Sequence, residues 1–271
     1  MNINFSLLMP VYYQDSPLAL QDALYSIVNS SVQPDEIIII EDGDIGQQLE
    51  EIILSFSVEL PIRTIKISRN VGIGRALAIG IPACRYEWVA RFDSDDVCHR
   101  LRFERQIEFI KKNNAVDILG TAIAEFDNNY RSPHAYRVLP TKHQDILQYA
   151  KFRNPFNHMT VIYRKDKVLE AGNYQDDYMY EDYSLWVRMF HCGAIAANLP
   201  DALVYARTGN GMEIRRGGVK YALSEISAQV NFYKIGFINK YQLIKNLAIR
   251  IPMRLVSGGI RKHIYRKLLR R

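Results

Sequence analysis

Short apolar runs alternate with helix-period segments through the first hundred residues. Phe5–Val11 reads as a strand and Pro17–Ser30 as a helix. After the turn-like Gln33-Pro34-Asp35, Glu36–Ile40 is a continuous apolar strand. A helix near Gln47–Phe56, a strand at Ile62–Ile67, a helix at Gly72–Ile81 and a strand at Trp88–Phe92 follow. Runs without polar alternation, such as Ile37–Ile40, suit a sheet covered on both faces, and the β-α-β order argues for parallel strands. The pattern predicts an α/β layer of nucleotide-binding type, in which ligands collect at the carboxyl ends of strands. Beyond Asp96 the pattern is less regular. It gives a helix at Leu101–Lys112, a strand at Val116–Phe126, a turn at Asp127-Asn128-Asn129, a strand at His158–Tyr163 and a helix at Tyr183–Phe190. No repeat, low-complexity segment or linker stands out before about residue 210.

Composition is that of a globular protein, with 48% hydrophobic and 24% charged residues in 271. This excludes disordered, collagen-like and disulfide-scaffold classes. The net charge of +6 hides a division. Residues 1–213 carry 21 Lys and Arg against 28 acids, a net of −7, whereas residues 214–271 carry 14 cations and the single acid Glu225, a net of +13. The expected organisation is therefore a body at 1–213 and a basic, amphipathic helical extension at 214–271. Cys84, Cys98 and Cys192 are odd in number and lack C-x-x-C spacing, which fits a reducing cytosol without a disulfide framework. No signal peptide is read at the N-terminus. The uncharged stretch Met1–Gln14 is too short to span a bilayer, and no transmembrane helix is expected.

Three acidic clusters carry candidate chemistry. Asp93-Ser94-Asp95-Asp96 directly follows the strand Trp88–Phe92. Carboxylates this close repel unless something positive sits between them, and such hard oxygen ligands suit Mg²⁺ or Mn²⁺. The alternative is an acidic loop capping the helix near Arg100. Glu41-Asp42-Gly43-Asp44 ends the second apolar strand, where an acid can accept from a ribose hydroxyl or a base N–H, or simply cap a solvated turn. Glu181-Asp182 precedes an amphipathic segment and offers either a helix-capping acid or a general base. Asn70-Val71-Gly72-Ile73-Gly74-Arg75 is glycine-rich but matches neither the G-x-G-x-x-G nor the Walker A pattern. Histidine spacing for zinc and a G-x-S-x-G elbow are both missing from the sequence.

Taken in order, Leu8-Met9-Pro10-Val11-Tyr12, Ile40-Glu41-Asp42-Gly43-Asp44, Asn70-Val71-Gly72, Asp93-Ser94-Asp95 and Glu181-Asp182 resemble the family 2 glycosyltransferases, inverting nucleotide-sugar enzymes of GT-A fold. The resemblance covers roughly Phe5 to Phe190. It departs from the family pattern at Glu41-Asp42-Gly43-Asp44, where Asp-Asp-Gly-Ser is frequent, and at Ala78-Ile79, where Arg-Asn is frequent. It implies a donor-binding part at about 1–100 and an acceptor-binding part at about 101–213. Pro10, Val11, Tyr12, Asp42, Asn70, Arg75, Asp93 and Ser94 would contact the donor nucleotide, with Asp42 facing the base. Asp95, with Asp93 or Asp96, would hold Mn²⁺ or Mg²⁺. Asp182, or alternatively Glu181, would deprotonate an acceptor hydroxyl. His158 would be either a substrate contact or a core histidine. The implied reaction moves a hexose, glucose or galactose, from a UDP-sugar to a saccharide on a polyprenyl diphosphate during synthesis of bacterial O-antigen or capsule. Rival readings are a sugar-1-phosphate nucleotidyltransferase and a noncatalytic membrane-binding protein of the same fold.

In the extension, the forks of Arg215 and Arg216 suit a diphosphate, and the alternative is a solvated turn. Ile244, Leu247, Ala248, Ile251 and Leu255 recur at helical spacing among Lys240, Lys245, Arg250 and Arg254. Ile260, Ile264 and Leu268 repeat the pattern among further cations. Such segments suit the surface of an anionic membrane, and the alternative is packing on the body. Nucleic acid is not expected, because no recognition motif accompanies the basic run and the body is acidic. The expected location is the cytoplasmic face of the cell membrane.

Overall fold

The computed structural model describes residues 3–208 and 218–255. β1 (Phe5–Val11), β2 (Glu36–Asp42), β3 (Ile62–Ile67) and β4 (Trp88–Arg91) form where the apolar runs predict, and all pair in parallel. They are joined by α1 (Pro17–Val28), α2 (Gln47–Phe56) and α3 (Ile73–Ala83). Side chains of successive strand residues point to opposite faces. Leu7, Met9, Ile37 and Ile39 accordingly pack with α1 and α2, whereas Leu8, Ile38 and Ile40 pack with Ala76, Leu77 and Ile81 of α3. The β2 run is unbroken because both of its faces are covered.

The second half adds β5 (Val97–Cys98), α4 (Arg102–Lys112), β6 (Ile118–Phe126), β7 (Ala135–Arg137), α5 (His143–Ala150), β8 (Ile162–Arg164), α6 (Lys165–Glu170), α7 (Glu181–His191) and β9 (Ala196–Arg207). One nine-stranded mixed sheet results, in the order β3-β2-β1-β4-β8-β6-β9-β5, with β7 paired to β6. β1 lies between β2 and β4, so chain crossings leave it in opposite directions and open a crevice at its carboxyl end.

The expected strand His158–Tyr163 is corrected. His158–Thr160 is a 3₁₀ turn, and β8 starts only at Ile162. Side chains explain the difference: Thr121 N–H donates to the Thr160 hydroxyl (2.9 Å), and Thr121 C=O accepts from the Asn157 amide (2.8 Å). These groups satisfy β6 there without strand pairing. β9 had no sequence signal of comparable length. Leu199 pairs with Thr121 and Ala202 with Ala122, so Pro200 and Asp201 are accommodated in a bulge. The three cysteines are free.

Two helices follow, α8 (Val219–Lys234) and α9 (Lys240–Leu255). α8 buries Tyr221, Ala228 and Phe232 against Tyr180, Tyr183 and Val187. Of the apolar stripe expected on α9, Ile244 and Leu255 are 58% and 57% exposed, Ala248 is exposed, and Leu247 and Ile251 are half-buried. Arg250 and Arg254, expected among outward cations, turn inward to the fully buried Glu225. Among the described residues, no helix is long and apolar enough to cross a membrane. Arg215, Arg216 and the segment with Ile260, Ile264 and Leu268 lie outside the described residues.

Candidate active site

The carboxyl ends of β1, β2 and β4 place three sequence-predicted segments side by side. On β1, Pro10 lies in register with Ile40 and Val11 with Glu41. Tyr12 follows directly, and its N–H donates to the Asp15 carboxylate (3.1 Å). The same Asp15 oxygen accepts from the Ser94 hydroxyl (2.7 Å), which ties the β1 end to the acidic loop after β4. Burial pushes Asp15 up to about 6, partly opposed by the Ser94 bond.

Asp42, at the end of β2, is a latch. Its two carboxylate oxygens accept from Val71 N–H (2.7 Å) and Gly72 N–H (2.9 Å), while Asn70 donates to its backbone carbonyl (3.2 Å). The glycine-rich segment is thereby held against the β2 end before α3 begins. Gly43 is required at this crossing: its φ is +91°, and a Cβ would lie 2.8 Å from Asn70 N. Gly74 allows an equally close approach, since a Cβ there would meet Gln175 O at 2.6 Å and Glu181 Cβ at 3.1 Å. Arg75 is turned toward Asp176, with which it makes an exposed ion pair (2.7 Å).

One ligand oxygen from each of Asp93, Asp95 and Asp96 falls within 4.8 Å of the others. Asp96 accepts from Arg207 N–H (2.8 Å) through Oδ1, and its buried Oδ2 has no hydrogen-bond partner among the described residues. Burial, then the charge of Asp93, raises Asp95 to about 6 and Asp96 well above the ordinary range. Carboxyls that resist ionisation together, with an orphaned oxygen among them, form a donor set that fits a hard divalent cation. The positive charge that such a cluster demands is partly built in. Arg91, 1% exposed on β4, pairs with Asp93, while its Nε and Nη1 have no hydrogen-bond partner among the described residues. Arg207 braces the loop from β9, donating from Nε to Asp95 O (2.9 Å).

Glu181 and Asp182 do not precede α7; they are its first two residues, near the dipole's positive end. Asp182 Oδ1 accepts from Tyr183 N–H (2.6 Å) and Oδ2 from the Asn154 amide (2.6 Å). Burial raises Asp182 above the usual carboxylate range, opposed by the Asn154 bond and by the charges of Arg91 and Arg137. Glu181 is pushed up to about 7 by burial and by Asp182. A carboxylate oriented by two donors and raised above its ordinary range, as Asp182 is, is suited to proton abstraction. Met179, two residues before Glu181, has φ 63°, a strained conformation for a side chain of its size. His158 donates to or accepts from Tyr174 OH (2.9 Å) and packs on Trp186; burial lowers its pKa well below the ordinary value and keeps the ring neutral.

Sequence reasoning missed four residues here. Arg91 left a trace, since a lone cation ended a buried strand immediately before three acids. Asn154 lies four residues before His158, and its role depends on a partner 28 positions away. Asp15 and Arg207 left none, because their partners lie 79 and 111 positions away.

Comparison with known proteins bears on the family and the fold. A family profile described as Glycosyl transferase family 2 matches residues 6–172. A UDP-Gal:alpha-D-GlcNAc-diphosphoundecaprenol beta-1,3-galactosyltransferase from Escherichia coli is 40% identical over 98% of this chain and 97% of its own. The amylovoran biosynthesis glycosyltransferase AmsE of Erwinia amylovora is 35% identical over 93% of this chain and 96% of its own. In shape, the chain resembles S. aureus TarS 1-349 in complex with UDP-GlcNAc, with a TM-score of 0.70, 16% identity, and coverage of 98% of this chain and 76% of that one. The expected GT-A layer, the ordered acidic strand ends and near-full-length relatives converge on one assignment: this chain is a glycosyltransferase belonging to glycosyl transferase family 2.

Proposed function

We propose that the chain transfers a hexose, galactose before glucose, from its UDP-sugar to a saccharide carried on a polyprenyl diphosphate, inverting the anomeric carbon. The observation that carries the reading is the pairing of two acidic centres. A three-carboxylate cluster lies at the β4 end, and an Asn154-oriented carboxylate lies at the α7 start. The lipid-diphosphate acceptor and the preference for galactose come from the relative that is 40% identical over nearly its whole length. On this reading the step belongs to bacterial surface polysaccharide synthesis.

In the mechanism we infer, the β1 end from Pro10 to Tyr12, Asp42 and Asn70 line the nucleoside pocket, and Asp93 and Ser94 flank the ribose. Asp95, together with Asp93 and Asp96, would hold Mn²⁺ or Mg²⁺. When bound, the cation supplies positive charge to the departing diphosphate. Arg91 keeps the carboxylates of both centres compatible in one crevice. Asp182, ionised and held by Asn154 and Tyr183 N–H, accepts the proton of the acceptor hydroxyl. That oxygen bonds to the anomeric carbon as the bond to the β-phosphate oxygen breaks, its electron pair leaving with UDP. Attack opposite the leaving group inverts the centre. Glu181 is the neighbouring acid, itself held partly protonated by burial and by the charge of Asp182.

The extension is the part we assign to the membrane. The outward face of α9 exposes Tyr241, Ile244, Ile249 and Leu255 beside Lys240 and Lys245, and the sequence beyond it is basic. That combination suits docking to the anionic inner leaflet, where a lipid-linked acceptor is presented. A flotation assay should recover the protein with anionic but not neutral vesicles; equal recovery would refute the docking.

The function itself is tested by offering UDP-sugars with lipid-diphosphate saccharides. UDP-galactose or UDP-glucose should support transfer. If neither does, and the protein instead exchanges nucleotide onto a sugar 1-phosphate, the nucleotidyltransferase reading replaces this one.

A further inference from the structure

The C-terminal helices grip both sides of the acid pair. Glu181 and Asp182 are bracketed in sequence by Tyr180 and Tyr183, which are 4% and 2% exposed. Both rings pack on α8, Tyr180 edge-on to Tyr221 (5.7 Å between centroids) and Tyr183 to Phe232 (4.9 Å). The Ser224 hydroxyl on α8 donates to Tyr178 O, holding the strained turn through Met179. Tyr180 OH donates to Glu225, the extension's only acid.

Glu225 in turn collects α9. Its Oε1 accepts from Arg250 Nη1 (2.6 Å) and its Oε2 from Arg254 Nη2 (3.0 Å). From that anchored position, Arg250 Nη2 donates to Phe152 O, and one turn earlier the Asn246 amide donates to Lys151 O (2.8 Å). Tyr183 OH adds a bond to Ala150 O (2.6 Å). Three consecutive carbonyls, at 150, 151 and 152, are thus fixed by α7 and α9. Two residues further on, Asn154 donates to Asp182 Oδ2.

We propose that α9 is a positioning element for the acceptor-activating carboxylate, with Arg250 and Asn246 acting through the 151–154 segment and the Asn154 amide on Asp182. The inference rests on Asp182 being the base and deepens that reading. It also gives the inward polar stripe of α9 a purpose that solubility or membrane binding does not supply. A base must be held to within a fraction of an ångström of its productive place, and its neighbours' rotamers are what hold it.

The test is a double-substitution cycle on the full chain, scored by kcat, the acidic limb of the kcat–pH profile, UDP affinity by calorimetry, and Tm. Arg250→Gln should lower kcat by about tenfold while UDP affinity stays within about twofold, because donor contacts are remote from α9. Its acidic limb should move to higher pH as the Asn154 bond loosens, and Arg250→Lys should restore part of both. In an Asn154→Ala background, Arg250→Gln should change kcat by less than about twofold, since the route is already cut. Asn246→Ala, which leaves the Glu225 pairs intact, should shift kcat and the acidic limb in the same direction by a smaller factor. The proposal is overturned if Arg250→Gln and Asn246→Ala lower Tm but leave kcat and the limb unchanged. It is equally overturned if the Arg250 and Asn154 effects simply multiply. Wild-type kcat in Asp182→Asn would sink the base assignment itself, a separate failure.

Discussion

Asp182→Asn separates the chemistry of the base from its structural duties. The change is isosteric, but both Asp182 oxygens accept from donors, Tyr183 N–H and the Asn154 amide, and asparagine offers only one acceptor. One bond is lost, which costs about 1–2 kcal/mol in a half-buried place. A buried charge next to Glu181 is removed at the same time, returning about 1.4 kcal/mol for each unit by which the pKa was raised. The two oppose each other, so the thermal midpoint should move by less than about 5 °C. Turnover should fall by about 10²–10⁴-fold, the usual contribution of a positioned general base. The exchanged pair Asp182→Asn with Asn154→Asp gives the sharper control. It restores a carboxylate-to-amide bond between the two positions, with Tyr183 N–H still satisfied, yet the carboxylate now sits on the wrong residue. Stability should hold while turnover stays low. Initial rates with UDP-sugar and lipid-diphosphate acceptor, beside a thermal melt, read both quantities. More than about a tenth of wild-type kcat in Asp182→Asn, or recovery of turnover in the exchanged pair, would refute the reasoning.

Other consequences are as direct. Because burial raises Asp182 above the usual carboxylate range, the ionised base is lost from the acidic side: kcat should fall with falling pH along a limb that lies above that of a free aspartate, and a profile flat down to about pH 4, where a free aspartate titrates, would contradict the assignment. Chelation with EDTA should abolish transfer and Mn²⁺ or Mg²⁺ restore it, with Asp95→Asn raising the half-activating metal concentration at least about tenfold; transfer undiminished by EDTA would exclude a metal at the aspartates. Gly43→Ala places a Cβ 2.8 Å from Asn70 N on a left-handed backbone, so it should displace the segment latched by Asp42 and raise the donor KM with a smaller change in kcat. An unchanged KM would show that this segment does not shape the donor pocket.

The parallel half of the fold was legible because it is written in local pattern. Ile37–Ile40 can only be a strand covered twice, and its end announces an acid at a crevice. The second, mixed half was obscured by residues whose duty is fixed at long range. Pro200 and Asp201 interrupt a twelve-residue strand that only the β6 bulge explains. Asn157 and Thr160 replace strand pairing with side-chain bonds. The same distinction divides the site. Asp93, Asp95, Asp96, Glu181 and Asp182 were visible as clusters, whereas Asp15 and Arg207 reach the acidic loop from across the fold, and Arg91, though next to it in sequence, shows its role only through its burial and its pair with Asp93. α9 misled for a different reason. Its apolar stripe was the visible pattern, yet the helix docks through Arg250 and Arg254, which pair with the buried Glu225, and through Asn246, which bonds Gln229 and Lys151 O.

The central claim, inverting transfer of a hexose to a lipid-linked saccharide, is tested most directly by the anomeric configuration of the product. From an α-linked UDP-galactose or UDP-glucose donor, the isolated lipid-linked product should show the large three-bond H1–H2 proton coupling of a β-glycoside in its NMR spectrum. An α-glycoside from the same donor would contradict the single in-line displacement at which Asp182 is assigned the proton.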